Sequence, residues 1–350
     1  MHAAAPALKR AVLTVAKHLG GYRAFTRGPW RRRRLFILCY HGVSQHDEHL
    51  WNPALYVAQQ QLEARLRVLK ALGCRILPLG EALQRLYAGD LPDRSVALTF
   101  DDGYYDFYSC AYPVLATHQM PATVYLTTYR CFYNKPIFRL LCSYLLWQQR
   151  GRGRVTIPDV SPQPFDLNAP AGRLAAFSAI VRLAEREHLT PADRGILVER
   201  IADRIGACYA DIVSHRVLHL MNEGEVRELA RAGVDFQLHT HTHTTRREAS
   251  AFGKEIVTNR ERIEQLTGMR PQHFCYPSGI YAPEFLPWLR EAGVVSATTC
   301  DPGLASQATN PLMLPRLVDS STLSQVEFEG WVVGVSPFIS RRRAHAGSAH

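Results

Sequence analysis

The stretch Ser95-Val96-Ala97-Leu98-Thr99-Phe100-Asp101-Asp102-Gly103 decides how the rest of the chain is read. A largely apolar run with no polar alternation is the pattern of a strand buried on both faces, as in a parallel sheet. It stops in two adjacent carboxylates, which repel one another unless a cation sits between them. A metal ion relieves the repulsion, and one aspartate can then bind it while the other serves as a base.

Working outward, similar runs recur at 35–40 (LFILCY), 74–79 (CRILPL), 122–128 (ATVYLTT), 234–240 (VDFQLHT), 273–277 (HFCYP), 294–300 (VVSATTC) and 312–317 (LMLPRL). Between them lie helical patterns, several closed by glycine: 56–72 before Gly73, 81–89, 105–119, 223–233, 254–268 and 282–293. Strands alternating with helices indicate parallel βα units, and about seven of them fit an α/β protein with a distorted (β/α) barrel of parallel strands better than one with an open sheet. The rhythm breaks at about 129–219, which reads as a mostly helical insertion containing the Pro-rich stretch PDVSPQPFDLNAP. Long structured insertions beside a barrel mouth build lids and binding walls, so substrate specificity is expected there. Its aromatic residues Tyr129, Phe132, Tyr133, Phe138, Tyr144 and Trp147 could line such a wall, although their spacing favours a core role for most. The organisation expected is a basic amphipathic segment at 1–34, the barrel at 35–340 and a basic tail at 341–350.

The chain has 350 residues with 41 Lys plus Arg against 31 Asp plus Glu, a formal charge of +10. The surplus is not spread evenly. Residues 1–34 hold Lys9, Arg10, Lys17, Arg23, Arg27 and Arg31 to Arg34 with no acid, and 341–350 add Arg341 to Arg343. The body between is slightly acidic, which argues against nucleic acid as a partner. The eight cysteines are scattered without a C-x-x-C pair, as expected of reduced, buried residues rather than disulfides or a cysteine zinc site. No stretch reaches the roughly 18 apolar residues of a membrane span. The run AVLTVA is broken by Lys17 and His18, so it does not read as a signal peptide, and a cytoplasmic protein is expected. Leu8, Ala11, Val12, Val15, Leu19 and Tyr22 share one helical face. That helix either lies on an anionic membrane, with Arg31 to Arg34 as an extra anchor, or packs on the barrel. The first alternative makes the protein peripheral to the inner membrane.

In a βα barrel, functional groups gather where strands end. Four polar clusters fall there: His41, Asp101 with Asp102, the run His239-Thr240-His241-Thr242-His243, and Arg316. Neutral imidazoles plus one carboxylate, with positions left for water, suit a catalytic zinc or a similar ion.

Thr99-Phe100-Asp101-Asp102-Gly103 resembles the TFDDG motif of the polysaccharide deacetylase superfamily, carbohydrate esterase family four with the nodulation chitooligosaccharide deacetylases. His239 to His243 is similar to its H-[S/T]-x-x-H motif, and Phe274-Cys275-Tyr276-Pro277-Ser278-Gly279 to its third motif in the FxYPxG form. Cys39-Tyr40-His41-Gly42-Val43 and Leu314-Pro315-Arg316-Leu317 resemble flanking motifs of bacterial members. The resemblance covers about residues 35–318 apart from the insertion. It implies a metal-dependent hydrolase that removes an acetyl or formyl group from an amino sugar in a glycan or glycan precursor. Asp102, His239 and His243 would hold the divalent ion, with zinc expected, and Asp101 would be the base that activates its water. Tyr276, Ser278 and Gly279 would bind substrate and its oxyanion. His241 and Thr240 would be a spacer and a loop-tightening residue.

Two departures from the family pattern stand out. The third motif's arginine, which orients the catalytic aspartate, is replaced by Cys275, and Arg316 is the substitute on the strand-end argument. The late general-acid histidine is absent as well, since His345 and His350 lie in the tail. His41 is the substitute there, unless it is a structural turn residue. The expected partner is a carbohydrate, lipid-linked if residues 1–34 touch a membrane. The alternatives are a hydrolase of the same superfamily acting on a non-sugar amide, and a catalytically inactive glycan-binding or scaffold protein.

Overall fold

The computed structural model describes residues 4–133 and 135–339, so the basic tail at 341–350 lies outside them. Seven parallel strands form the central sheet: β1 (Arg34–Tyr40), β2 (Ser95–Asp102), β3 (Thr123–Leu126), β4 (Asp235–Leu238), β5 (His273–Cys275), β6 (Ser296–Thr298) and β7 (Leu317–Val318). They pair in the order β6-β5-β4-β3-β2-β1-β7, with Phe36 opposite Val96 and Asp102 opposite Leu126 in register. A parallel bridge between Thr298 and Leu314, just before β7, brings the last segment back to β6 and closes the curl. The expected distorted barrel of seven parallel strands is therefore the observed fold. Two short strands flank its lower edge, Arg75–Ile76 beside β2 and Ala305–Ser306 antiparallel to β1.

The strands are buried on both faces, which is why they read as unbroken apolar runs. Alternation still sorts them. Leu35, Ile37, Ala97, Tyr125, Cys275 and Leu314 share one core with the helix Leu79–Ala88. Phe36, Leu38, Leu98, Phe100, Phe274 and Tyr276 pack in the other, against the surrounding helices. The helices follow their sequence signals. Asn222 caps α1 (Glu223–Arg231) in a reciprocal box with Glu225. Gly268, at φ 71°, ends α2 (Ala249–Thr267) in the left-handed region.

Residues Asn134–Leu220 form a compact unit of their own. It holds the helices Phe138–Gln148, Pro170–Arg186, Pro191–Ile205 and Tyr209–Ser214, with an antiparallel pair, Arg154–Ile157 and Ser161–Asp166. The Pro-rich stretch is thus partly a strand. Its prolines are tolerated because a two-stranded pair is all edge. Tyr129 to Tyr133 stay with the barrel unit instead, where the Tyr129 amide donates to the His241 carbonyl (2.9 Å). The aromatic residues divide accordingly: Phe138 and Tyr144 are core, whereas Tyr129, Phe132 and Tyr133 are exposed, contrary to the core role expected for most.

Two further expectations are corrected. Arg31 cannot be a surface anchor: it is fully buried, donating to the carbonyls of Val332 (2.7 Å) and Arg34 (2.8 Å). The cysteines are all free, but Cys208 is exposed rather than core.

Gly103 follows the two carboxylates at φ 83°, and a β-carbon there would lie 2.3 Å from the Leu126 Cδ1 atom. Gly103→Ala combines left-handed strain with overpacking. It is expected to cost about 1–3 kcal/mol, read as a lower midpoint of urea unfolding.

Candidate active site

The inner face of β2 carries Thr99 and Asp101, and strict alternation would send Asp102 to the outer face. Asp102 instead adopts φ 70°, which breaks the alternation at the strand's end. Both carboxylates consequently converge on His239. Donor atoms of Asp101, His239 and Cys275 lie within 4.8 Å of one another, and so do those of Asp102, His239 and His243.

Asp102 Oδ1 is 3.1 Å from the Nε2 atoms of both His239 and His243. His239 turns its Nδ1 to the Cys275 carbonyl at 2.9 Å, which fixes the ring and leaves Nε2 for the cluster. Burial opposes charge on Asp102, but the histidines outweigh it and hold its pKa well below the usual carboxylate range. Burial likewise lowers the His239 pKa, and the hydrogen bond and charge of the aspartates more than offset this, leaving it raised. One carboxylate oxygen facing two imidazole nitrogens is a donor set suited to a divalent cation. Asp102, His239 and His243 are the residues that would hold it.

Asp101 is almost wholly buried and is clamped by Arg316. Nη1 donates to Oδ1 and Nη2 to Oδ2, each at 2.7 Å. Arg316 sits just before β7, with no solvent exposure. Its Nε donates to the Thr299 carbonyl at 2.9 Å, its Nη1 to Thr99 Oγ1 at 3.3 Å, and its Nη2 to Cys275 Sγ at 3.1 Å. Burial would raise the Asp101 pKa; the guanidinium reverses that and pushes it far below the carboxylate range. Cys275, standing where the family's arginine would be, points inward to Asp101 (3.4 Å), while the guanidinium arrives from the closing strand.

His41 Nε2 lies 3.8 Å from Asp101 Oδ2. Burial lowers its pKa against the pull of Asp101 and Asp102. His241 points elsewhere, its Nδ1 2.9 Å from Thr128 Oγ1. Thr240 tightens the loop by accepting from the Thr244 amide at 3.1 Å.

The third motif needs correction. Tyr276 belongs to the outer face of the barrel; it is fully buried and its hydroxyl donates to the Leu312 carbonyl at 3.0 Å, so its ring cannot meet substrate. The Gly279 amide donates to the Tyr276 carbonyl at 2.9 Å and is not free for an oxyanion. Ser278 remains exposed at the turn, at φ 56°.

Three positioning residues escaped the sequence reading. Asn259, buried on α2, accepts from the His239 amide (2.9 Å) and donates to Leu126 O (2.9 Å) and Thr128 Oγ1 (3.0 Å). Glu255, one turn earlier, takes the Thr242 amide and hydroxyl at 2.7 and 2.8 Å. Tyr104 sits beside Asp102: burial first, then that carboxylate, raise its pKa well above the usual phenol value. A polar residue within a helical pattern carries no signal of its own, and only the one-turn spacing of Glu255 and Asn259 hints at a shared face.

The profile of the polysaccharide deacetylase family matches residues 88–141 and 204–297. The poly-beta-1,6-N-acetyl-D-glucosamine N-deacetylase of Staphylococcus aureus is 38% identical over 72 residues, 21% of this chain and 25% of that protein. The chain matches about a third or less of the length of such curated relatives (32% and 25%). Among solved structures, the Streptococcus pyogenes deacetylase PplD in complex with acetate superposes with a TM-score of 0.55 at 18% identity, covering 84% of this chain and 96% of that one. IcaB from Ammonifex degensii gives 0.51 at 16% identity, covering 86% and 97%. At these identities the likeness is one of fold.

Arg316→Met is expected to destabilise the chain by about 3–5 kcal/mol, because it strands a buried carboxylate. Adding Asp101→Asn should recover most of that in urea unfolding without restoring turnover. Asn259→Ala should weaken metal binding by about 10–100-fold, measured by titrating the metal-free protein with Zn²⁺.

Proposed function

Because the chain belongs to the polysaccharide deacetylase superfamily, we propose that it is a metal-dependent hydrolase that removes an acetyl group from an amino sugar of a glycan. A formyl group is the variant substrate. The observation that carries this reading is the juxtaposition of the Asp102–His239–His243 set with an arginine-clamped Asp101.

A divalent ion in that set, with zinc expected, would polarise the acyl carbonyl and acidify the attacking water. The chain's own groups do the rest. Asp101 stays ionised because Arg316 holds it so, and both of its oxygens are fixed in direction. So weak a base can take a proton only from an acidified water, which ties its role to an occupied cation site. His41, beside Asp101 Oδ2, relays that proton to the leaving nitrogen. An imidazolium whose pKa is depressed by burial is the stronger acid for that purpose. Tyr129 and Tyr133 are exposed, stack on each other at 5.9 Å, and meet the His241 ring at 5.7 Å through Tyr129. They offer an aromatic surface to a sugar ring beside the histidine loop. We favour a lipid-linked glycan precursor as the physical form of the substrate, a reading that the basic, amphipathic segment at 1–34 supports.

The inactive-scaffold reading rests on the missing arginine of the third motif and the missing late histidine; the bidentate contact of Arg316 with Asp101 counts against the first ground, and His41 beside Asp101 against the second. Assays should show acetate release from N-acetylglucosamine oligomers, abolished by chelation and restored by Zn²⁺. Asp101→Asn should lose about 10²–10⁴ in turnover with metal content unchanged, and His239→Ala should lose the metal. Glycan binding without bound metal or acetate release would sink the proposal. Equal turnover on free and lipid-linked sugar would remove the preference for a lipid-linked form.

A further inference from the structure

We propose that the outward face of the N-terminal helix Ala4–His18 is a docking surface for an anionic lipid bilayer. The helix is mounted with its charged side inward. Lys9 Nζ and Arg10 Nε reach Glu327 at 3.7 and 3.1 Å, and Lys17 pairs with Glu329; both acids lie on the helix Gln325–Val333. Between them Leu13 is fully buried in a small core with Tyr22, Val333 and Val335.

The other side is apolar and open. Leu8 is 67% exposed, Val12 44%, Val15 56% and Leu19 81%. Their spacing of four, three and four residues sets the first three in one stripe along the helix, and Leu19, one residue past its end, continues it. On the next helix, Gly21–Arg27, Phe25 is also exposed, its ring 5.6 Å from that of the exposed Phe338. An amphipathic helix on a globular protein ordinarily turns its apolar stripe to the core. Here ion pairs hold the polar side against the barrel and leave the stripe without a partner among the described residues.

Charge selects the occupant. Residues 1–34 carry nine basic side chains and no acid. Arg31 is buried, and among the described side chains Lys9, Arg10, Lys17 and Arg32 meet three acids, Glu327, Glu329 and Asp93, while Arg33 is exposed, so the segment stays net positive. An apolar stripe on a segment of net positive charge matches a bilayer of anionic headgroups over apolar chains. A second copy of this chain would instead set like charge against like. No described helix is long and apolar enough to cross a membrane, so the helix would lie in the interface. The proposal does not depend on what the active site hydrolyses.

The test is cosedimentation of the full chain with phosphatidylcholine vesicles, with and without phosphatidylglycerol. Wild type should pellet with the anionic vesicles and far less with the neutral ones, and added salt should weaken it. The variant Leu8→Ser/Val12→Ser/Val15→Ser/Leu19→Ser should bind about tenfold or more weakly. Its melting temperature should stay that of wild type, because the replaced side chains face water. Wild type left in the supernatant with anionic vesicles would overturn the proposal, as would undiminished pelleting of the variant. A wild-type dimer that the variant converts to monomer, without vesicle binding, would assign the stripe to a second copy instead.

Discussion

A guanidinium with no access to water, held by both oxygens of a buried carboxylate, is the constraint on which this barrel depends. Removing two charges from water costs several kcal/mol per ion unless their hydrogen bonds are met. Arg316 meets them by drawing on separate parts of the sheet: Thr99 and Asp101 on β2, Cys275 at the end of β5, and the carbonyl of Thr299 just after β6. Because Arg316 belongs to the segment that closes the curl, the segment that completes the sheet also completes the site. The pair is satisfied only when the last strand is home. The same contact keeps Asp101 ionised and aimed, so the group that seals the barrel also orients the carboxylate proposed as its base.

Around that pair the backbone is held in unusual conformations. Asp102, Thr240, His243 and Ser278 all have φ between 56° and 70°, in the left-handed region that side chains seldom occupy. Strain of this kind persists where the surroundings over-determine it. Here the surroundings are identifiable: Asn259 grips the His239 amide, Glu255 grips Thr242, and Thr240 closes its own loop. A single helix, α2, thus stands behind the histidine loop and sets where its imidazoles point.

Much of this was legible beforehand. Apolar runs ending in Asp101-Asp102 and in His239 announced strands and the groups at their ends, because parallel strands are buried on both sides and expose function only at their tips. Arg316 was readable as the source of the guanidinium because Cys275 left that place empty. Tyr276 was misread, since a motif lists residues without saying which face each occupies, and one step along a strand moves a side chain from the barrel interior to the outer layer. Arg31 was misread for a related reason: a run of four arginines looks like a surface feature, and nothing local distinguishes the one that turns inward.

The sequence alone determined the parallel strands, their order of alternation with helices, and the kinds of chemistry placed at their ends, because these follow from local pattern and composition. Only the tertiary structure decided which strand's arginine meets Asp101, that Asn259 and Glu255 support the histidine loop, and that the first helix shows its apolar side outward. These depend on pairings between residues far apart in the chain. The direction of the helix rests on Glu327 and Glu329, more than 300 residues from the lysines and arginine they hold. An amphipathic pattern specifies two faces but not which one the rest of the protein will claim.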